Sequence, residues 1–164
     1  MTMQATAIPT SNGAVSRETV KTFYDAYISR DPQRIGAMVT DDVEWHVAGP
    51  VSVVQICGTW RGREAVVERF ANYIPGIIAF QSLEIEKLLV DDDASAMFGR
   101  IISRHVPSGR IISHRVSHLV RYRDGKAATF RCINDSLDAA EQFIGHAIDF
   151  TADAPPVSDD IVEV

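Results

Sequence analysis

The stretch of sequence from Ser117 to Asp135 reads SHLVRYRDGKAATFRCIND and predicts two paired strands. Asp124 and Gly125 separate two segments rich in β-branched and aromatic residues. This dipeptide tolerates the positive φ angles that a tight hairpin turn requires. Asp135 follows the second strand and is a typical helix N-cap residue. The stretch therefore predicts a β-hairpin that leads directly into a C-terminal helix.

Two more long strands are predicted before this hairpin. From Ile77 onward the apolar residues recur at every second position, which is the period of a strand. Asp91–Asp93 and Pro107–Gly109 interrupt this pattern as turns. Sequential strands joined by short turns usually pair antiparallel, so these segments predict a meander.

The N-terminal half predicts three helices. Val20, Phe23 and Tyr27 recur at helical spacing after Ser16, which can cap the start of this first helix. Asp31-Pro32 is a typical start for a second helix. A first strand with alternating residues is predicted over Val43–Val47. A third helix follows it, carries Val66, Val67, Phe70 and Ile74, and is predicted to end at Pro75-Gly76. Helices segregated from a sheet must cover one of its faces. The predicted fold is α+β: a cone-shaped, curved antiparallel sheet wrapped around three N-terminal helices, with a C-terminal helix.

Length and composition favour one domain, predicted over residues 16–150, between a flexible segment at 1–15 and a flexible acidic tail at 151–164. The net charge of -6 argues against nucleic-acid binding, and no apolar run suits a membrane span. The N-terminus lacks the pattern of a signal peptide, and two cysteines are too few for a disulfide framework. These features predict a cytoplasmic protein. No zinc-ligand spacing and no glycine-rich nucleotide loop occurs, so neither a metal nor a cofactor is predicted.

The order of these segments resembles the SnoaL-like and ketosteroid-isomerase-like proteins of the nuclear transport factor 2 fold. The matching pieces cover roughly residues 16–147 and are Phe23–Tyr27, Asp31-Pro32, Thr40–Trp45, Gly58 with Arg61–Val66, His118–Lys126 and Asn134–Ser136. The resemblance implies an apolar small-molecule pocket and a homodimer.

The same resemblance does not carry over the catalytic residues of two well-known groups in this family. The oxyanion-hole tyrosine and aspartate of the steroid isomerases match Phe23 and Ser117, and their catalytic base matches Val47. The aspartate of the polyketide cyclases falls near Cys132. A phenyl ring at Phe23 cannot donate a hydrogen bond, and the Val47 side chain cannot take a proton, so a different set of residues is needed for any reaction.

Strand alternation and the resemblance together predict which side chains face the pocket. Phe130, Cys132 and Asn134 are expected to point inward, together with Phe98, Arg100, Ile102, Ser117 and Leu119. The predicted ligand-binding residues are Phe23, Tyr27, Trp45, Phe70, Tyr73, Phe98, Ser117, Phe130 and Cys132. The opposite face, with Thr129, Arg131, His114, Val116, His118 and Val120, is expected to be covered by a second copy of the chain.

Three polar residues are the candidates for catalysis, and each has an alternative role. His46 is the best acid–base candidate by chemistry alone, because histidine is the side chain suited to proton transfer at neutral pH, yet alternation with Trp45 turns it away from the pocket if Trp45 points inward. Arg100 either clamps an anionic substrate or pairs with a neighbouring carboxylate such as Glu84 or Glu86. Asn134 either contacts a ligand or is satisfied by backbone groups.

Two functions are consistent with these residues. The first is a cofactor-free enzyme of the isomerase, cyclase, hydrolase or dehydratase type, acting in an enclosed pocket on a small apolar molecule with a carboxylate or enolate end. The alternative is a non-catalytic ligand-binding or assembly module that uses the same cavity or the sheet face. The first requires a titratable group inside the pocket with a shifted pKa, and the second does not.

Overall fold

The computed structural model describes residues 14–149, so the predicted flexible segments lie outside the described residues except for Ala14 and Val15. Helices α1 and α2 span Arg17–Ser29 and Pro32–Ala37. Helix α3 spans Arg63–Glu68, continues as a π-helix over Arg69–Tyr73 and ends in α4 at Ile74–Ile77. Strands β1 to β6 span Val39–Val47, Gly58–Arg61, Ile78–Asp91, Ala94–His105, Ile111–Arg123 and Lys126–Asn134, and α5 spans Ser136–Ile144.

The α+β prediction is confirmed, and the sheet has six strands in the order β2-β1-β6-β5-β4-β3. The pairing of β1 with β6 is parallel, whereas a wholly antiparallel sheet was predicted. These two strands are distant in the sequence, so no hairpin turn constrains their relative direction. The larger of two hydrophobic clusters lies between the N-terminal helices and the sheet, and the smaller lies against α5.

Local capping explains where the first two helices begin. The Ser16 hydroxyl accepts a hydrogen bond from the Thr19 backbone N–H, and the Asp31 carboxylate accepts from the backbone of Gln33 and Arg34. These side chains satisfy N–H groups that have no partner in the first turn of a helix. Both starts agree with the sequence analysis.

Two predicted boundaries are wrong. Strand β1 runs through Asp41 and Asp42, because both carboxylates point to solvent and form ion pairs with Arg63 and Arg123. The third helical segment does not end at Pro75-Gly76. Pro75 lies in the first turn of α4, which continues directly from the π-helix, so the proline does not end the helical segment.

A β-bulge decides which residues of the sheet face the helices. Arg123 pairs with Lys126, and an uninterrupted ladder from this turn would place Leu119 opposite Phe130. The register shifts between Arg121 and Tyr122, so Val120 pairs with Phe130 instead. The buried face of β5 therefore carries Ile112, His114, Val116, His118, Val120 and Tyr122.

This register corrects the predicted faces of β4 and β5. The residues predicted to point inward lie on the outer face: Phe98, Arg100, Ile102, Ser117 and Leu119. Phe98 is 49% exposed and Leu119 is 42% exposed. His114, Val116, His118 and Val120 were assigned to an outer dimer face and instead lie inside. A one-residue shift moves every side chain of a strand to the other face.

Within residues 14–149, no helix has both the length and the apolar character needed to cross a membrane.

Candidate ligand-binding site

A small cavity lies between the helices and the inner face of the sheet. Its volume is about 40 Å³. Nine of its lining residues are apolar or aromatic and five are polar: Tyr27, Trp45, Val47, Ile56, Trp60, Phe70, Ile74, Ile78 and Ile101, with Arg30, Ser103, His114, Cys132 and Asn134. A water molecule takes roughly 30 Å³ in the liquid. An organic ligand therefore needs some of these side chains to move.

Stacked aromatic rings fill most of the predicted pocket. The rings of Trp45 and Phe130 stack with their centroids 3.9 Å apart, and Tyr27 stacks on both. Phe70 meets Trp45 edge to face at 5.5 Å and is carried by the π-helix. Such single turns of π-helix occur often at functional sites. The aromatic character that the sequence predicted is present, but it serves largely as core.

The predicted ligand-binding residues separate into three groups. Tyr27, Trp45, Phe70 and Cys132 line the cavity, and Asn134 joins them. Phe23 and Phe130 are buried in the aromatic cluster behind its wall. Phe98, Ser117 and Tyr73 are not part of the wall. The first two lie on the outer face of the sheet, and Tyr73 is 40% exposed beneath the Arg69 guanidinium.

Two of the predicted catalytic residues also lie outside the cavity. Trp45 points inward, so alternation turns His46 away, and its Nδ1 lies 2.7 Å from the Thr59 hydroxyl. Arg100 lies opposite Glu84 in the ladder, but its guanidinium donates to the Ser113 hydroxyl at 3.2 Å. Neither residue lines the cavity, so neither predicted catalytic role fits this site.

Asn134 both lines the cavity and holds its wall together. Its Nδ2 donates to the Ala48 carbonyl at 2.9 Å, and its Oδ1 accepts from the Cys132 thiol at 3.3 Å. Its Nδ2 also lies 3.8 Å from the Cys57 sulfur. The backbone role of Asn134 is therefore present, and the same amide faces the cavity, where its contact with a ligand stays a prediction.

The two thiols near Asn134 are not activated. Burial raises the pKa of Cys57 to about 11 and that of Cys132 to about 12. A thiolate is the nucleophilic form of cysteine. Both side chains therefore remain protonated near neutral pH and act as small buried groups.

His114 is a cavity residue that the sequence analysis placed on the wrong face. Burial lowers the pKa of its imidazole below the usual 6.5. A hydrogen bond to Asn134 and the charges of Asp138 and Asp135 oppose this effect, and the Arg100 charge adds to it. Among residues 14–149, its Nδ1 finds no hydrogen-bond partner. His114 is therefore a neutral imidazole at neutral pH, which is the form that accepts a proton.

His118 shares the inner face of β5 with His114 but does not line the cavity. It stacks parallel to Tyr24 at 6.0 Å and packs against Phe130 at 4.8 Å. Burial lowers the pKa of His118 to about 3, and the Arg30 charge acts in the same direction. Within the described part of the chain, neither of its ring nitrogens has a hydrogen-bond partner.

Arg30 contributes a positive charge to the cavity wall. It caps α1 in the left-handed conformation, with φ at 56°, and its N–H donates to the Tyr27 carbonyl. Its guanidinium carbon lies 4.2 Å from the ring centroid of Tyr27 and 3.9 Å from that of Phe80. Of the ion pairs found within residues 14–149, none includes Arg30.

One signal in the sequence could have identified His114. Arg115, Arg121 and Arg123 occupy alternate positions of β5, the same positions as Ser117 and Leu119. Since unpaired arginines are rarely buried, this set marks the outer face and leaves the histidines inside. Arg30 carried no comparable signal, because its place on the cavity wall depends on where α1 packs.

No group of three or more potential metal ligands occurs among the residues that the structure describes.

Comparison with known proteins identifies the family. A family model described as SnoaL-like domain matches residues 20–130. Sequence comparison with curated proteins finds no significant match.

Solved structures agree with this fold. A putative isomerase from Rhodopseudomonas palustris is 21% identical with a TM-score of 0.70, and the match covers 78% of this chain and 97% of the other. An NTF2-like protein of unknown function from Burkholderia pseudomallei is 25% identical with a TM-score of 0.68, covering 77% and 95%. An epoxide hydrolase from M. tuberculosis, described as LEH-like, is 17% identical with a TM-score of 0.62, covering 78% and 88%. The family match and these folds lead to one conclusion: the chain belongs to the SnoaL-like domain family.

Proposed function

We propose that this chain is a cofactor-free enzyme that binds a small, largely apolar molecule and transfers a proton through His114. The observation that carries the proposal is the neutral, buried imidazole of His114 on a largely apolar cavity wall, with Nδ1 unpartnered among residues 14–149. Perturbed pKa values are enriched at functional sites, and a base is most effective when its pKa lies near the working pH.

The neighbours of His114 suit this role. Asn134 lies beside the imidazole, where it acts to raise the pKa of His114, and its own side chain is anchored on the Ala48 carbonyl. The apolar residues of the wall lower the local dielectric constant, which strengthens electrostatic interactions in the site. The corresponding reaction is removal of a proton next to a carbonyl group, as in an isomerase, cyclase or dehydratase.

The test is hydrogen–deuterium exchange at the α-carbon of a panel of enolisable aryl ketones, followed by NMR in deuterated buffer. Exchange catalysed by the protein is expected to fall about 10²–10⁴-fold in His114→Phe, the range for loss of a general base. His46→Phe is the matched control, because His46 lies outside the cavity. The pH–rate profile should lose activity as the pH falls through a midpoint below 6.5, where His114 becomes protonated. Absence of exchange with the wild-type protein, or equal exchange in His114→Phe, would contradict the proposal.

A second candidate function, an assembly module, is favoured by the outer face of the sheet. Phe98, Leu119 and Ile133 are 49%, 42% and 63% exposed on this face. Arg115 and Glu86 line a groove beside them, so the face presents both signs of charge. A two-fold axis would place such a surface against its own complement. A second copy of the chain is therefore the proposed occupant. Of the residues that the sequence analysis assigned to the dimer face, Thr129 and Arg131 lie on this face, whereas the four from β5 do not.

Sedimentation analysis separates the two candidates. The wild-type chain is expected to sediment at twice its 18.1 kDa mass, and Ile133→Lys should restore the monomer. A wild-type monomer at all concentrations would exclude pairing through this face. Proton exchange by a monomeric Ile133→Lys variant would show that the cavity works without the assembly.

A further inference from the structure

A second, larger concavity lies directly outside the cavity. This groove measures about 500 Å³ and is lined mainly by apolar residues of α1, α4 and β3. Small-molecule sites typically measure about 300–1,000 Å³. The groove therefore has room for the body of an organic ligand, whereas the cavity of about 40 Å³ does not.

Four residues separate the groove from the cavity. Arg30, Phe70, Ile74 and Ile78 line both spaces. Three of them are apolar, and Arg30 is the only charged residue among the described groove-lining residues. The described walls of both spaces contain no carboxylate.

The Arg30 guanidinium is held in place without being neutralised. It lies over the rings of Tyr27 and Phe80, and an aromatic contact of this kind uses its face. Its N–H donors lie in the plane of the group, where they suit a carboxylate. Its Nε is buried without a partner within residues 14–149. A partly buried cation with no carboxylate partner among the described residues is costly, and an anionic ligand would remove that cost.

The Arg30 backbone is also unusual. An arginine at φ 56° occupies a conformation in which glycine or asparagine is preferred. A residue held in a disfavoured conformation is a reason to look for a function of its side chain. Here the Arg30 side chain is among those that separate the groove from the cavity.

We propose that the groove binds small organic carboxylates, with the carboxylate on Arg30 and the apolar body against Phe70, Ile74 and Ile78. The proposal deepens the proposed function, on which it rests for the position of the reacting end of the ligand, by assigning a charge to the substrate. Arg30 takes the anion-binding role that the sequence analysis gave to Arg100.

The test compares 4-phenylbutyrate with its neutral amide, 4-phenylbutyramide, by isothermal titration calorimetry. The wild-type protein is expected to bind the carboxylate at least about tenfold more tightly than the amide, as charge-assisted hydrogen bonds of ordinary strength would allow. In Arg30→Met this preference should fall to about onefold. Arg69→Met is the matched control, because the Arg69 guanidinium lies over Trp60 and Tyr73, has a buried and unpartnered Nε within residues 14–149, and lines neither space.

Arg30→Gly guards against a folding defect, because glycine suits the left-handed cap position. It should unfold at a temperature close to wild type and lose the carboxylate preference as Arg30→Met does. Failure of the wild type to bind the carboxylate, retention of the preference in both Arg30 variants, or its equal loss in Arg69→Met would overturn the proposal. Proton exchange on neutral ketones depends on His114, so it would survive the failure of this proposal and lapse only with the proposed function.

Discussion

The inner face of β5 has two regions that differ in what covers them. Around His118 the rings of Tyr24, Tyr27 and Phe130 pack directly against the strand and leave no space. Around His114, which lies earlier on the same strand, β5 faces the cavity and the Asn134 amide. The same residue type on the same strand face is thus a core aromatic in one region and a titratable cavity group in the other. The difference lies in whether aromatic rings or the cavity cover each position.

The largest expected effect comes from the wall that both regions share. Trp45→Ala removes the stacking on Phe130 and Tyr27 and leaves a void in the aromatic cluster. The free energy of unfolding, measured by urea denaturation, should fall by about 3–5 kcal/mol. Trp60→Ala is the control, because Trp60 is only half-buried, and it should cost clearly less. Equal losses would mean that the cluster around Trp45 is not a better-packed region than the cavity side.

A second prediction concerns acid stability in the sealed region. The pKa of His118 is about 3 in the folded chain and about 6.5 when unfolded, so the unfolded state binds more protons between these values. The contribution of neutral His118 to the free energy of unfolding is complete above pH 6.5 and is lost as the pH falls toward 3. Lowering the pH from 7 to 5 should reduce the free energy of unfolding by about 2 kcal/mol through His118 alone.

The measurement is urea denaturation at both pH values. His118→Phe should remove most of this site's pH dependence, whereas His46→Phe should keep it. If the free energy of unfolding depends on pH in His118→Phe as it does in the wild type, the region around His118 is hydrated and not sealed.

The smallest expected effect concerns the cavity region. Asn134→Ala removes the hydrogen bonds to the Ala48 carbonyl and to His114, and should cost about 1 kcal/mol of unfolding free energy. Because the Asn134 hydrogen bond raises the pKa of His114, its removal should lower that pKa further. NMR titration of the imidazole resonances measures the shift. The His118 resonance is the internal control, and a shift at both histidines would contradict the separation of the two regions.

The parts of the fold that rest on neighbouring residues were predictable. The caps at Ser16, Asp31 and Asp135 each act on a backbone N–H within three residues, and the structure contains all three. The turn at Asp124-Gly125 was also predicted, and both residues have positive φ. Alternation within one strand placed Phe130 and Cys132 on one face, the family resemblance implied that this face points inward, and both residues are buried.

The candidate site was less predictable because it depends on registers between strands. The bulge between β5 and β6 reversed the predicted face of His114 and, through the pairing with β4, that of Arg100. The charges at Arg115, Arg121 and Arg123 were the available clue to the true face. Four of the nine predicted ligand-binding residues line the cavity, and His114 and Arg30 were not among them.

The sequence by itself determined the order of the elements, their caps and turns, the apolar character of the interior and the family resemblance, since each depends on periodicity or on residues close in the chain. Tertiary structure alone decided which faces became interior, how little of the aromatic pocket stayed empty, and that the Arg30 charge lies on the cavity wall. A bulge of a single residue exchanges the two faces of a strand at little cost to its local propensity. The position of Arg30 against Tyr27 and Phe80 depends on the packing of α1 onto β3, which no local pattern encodes.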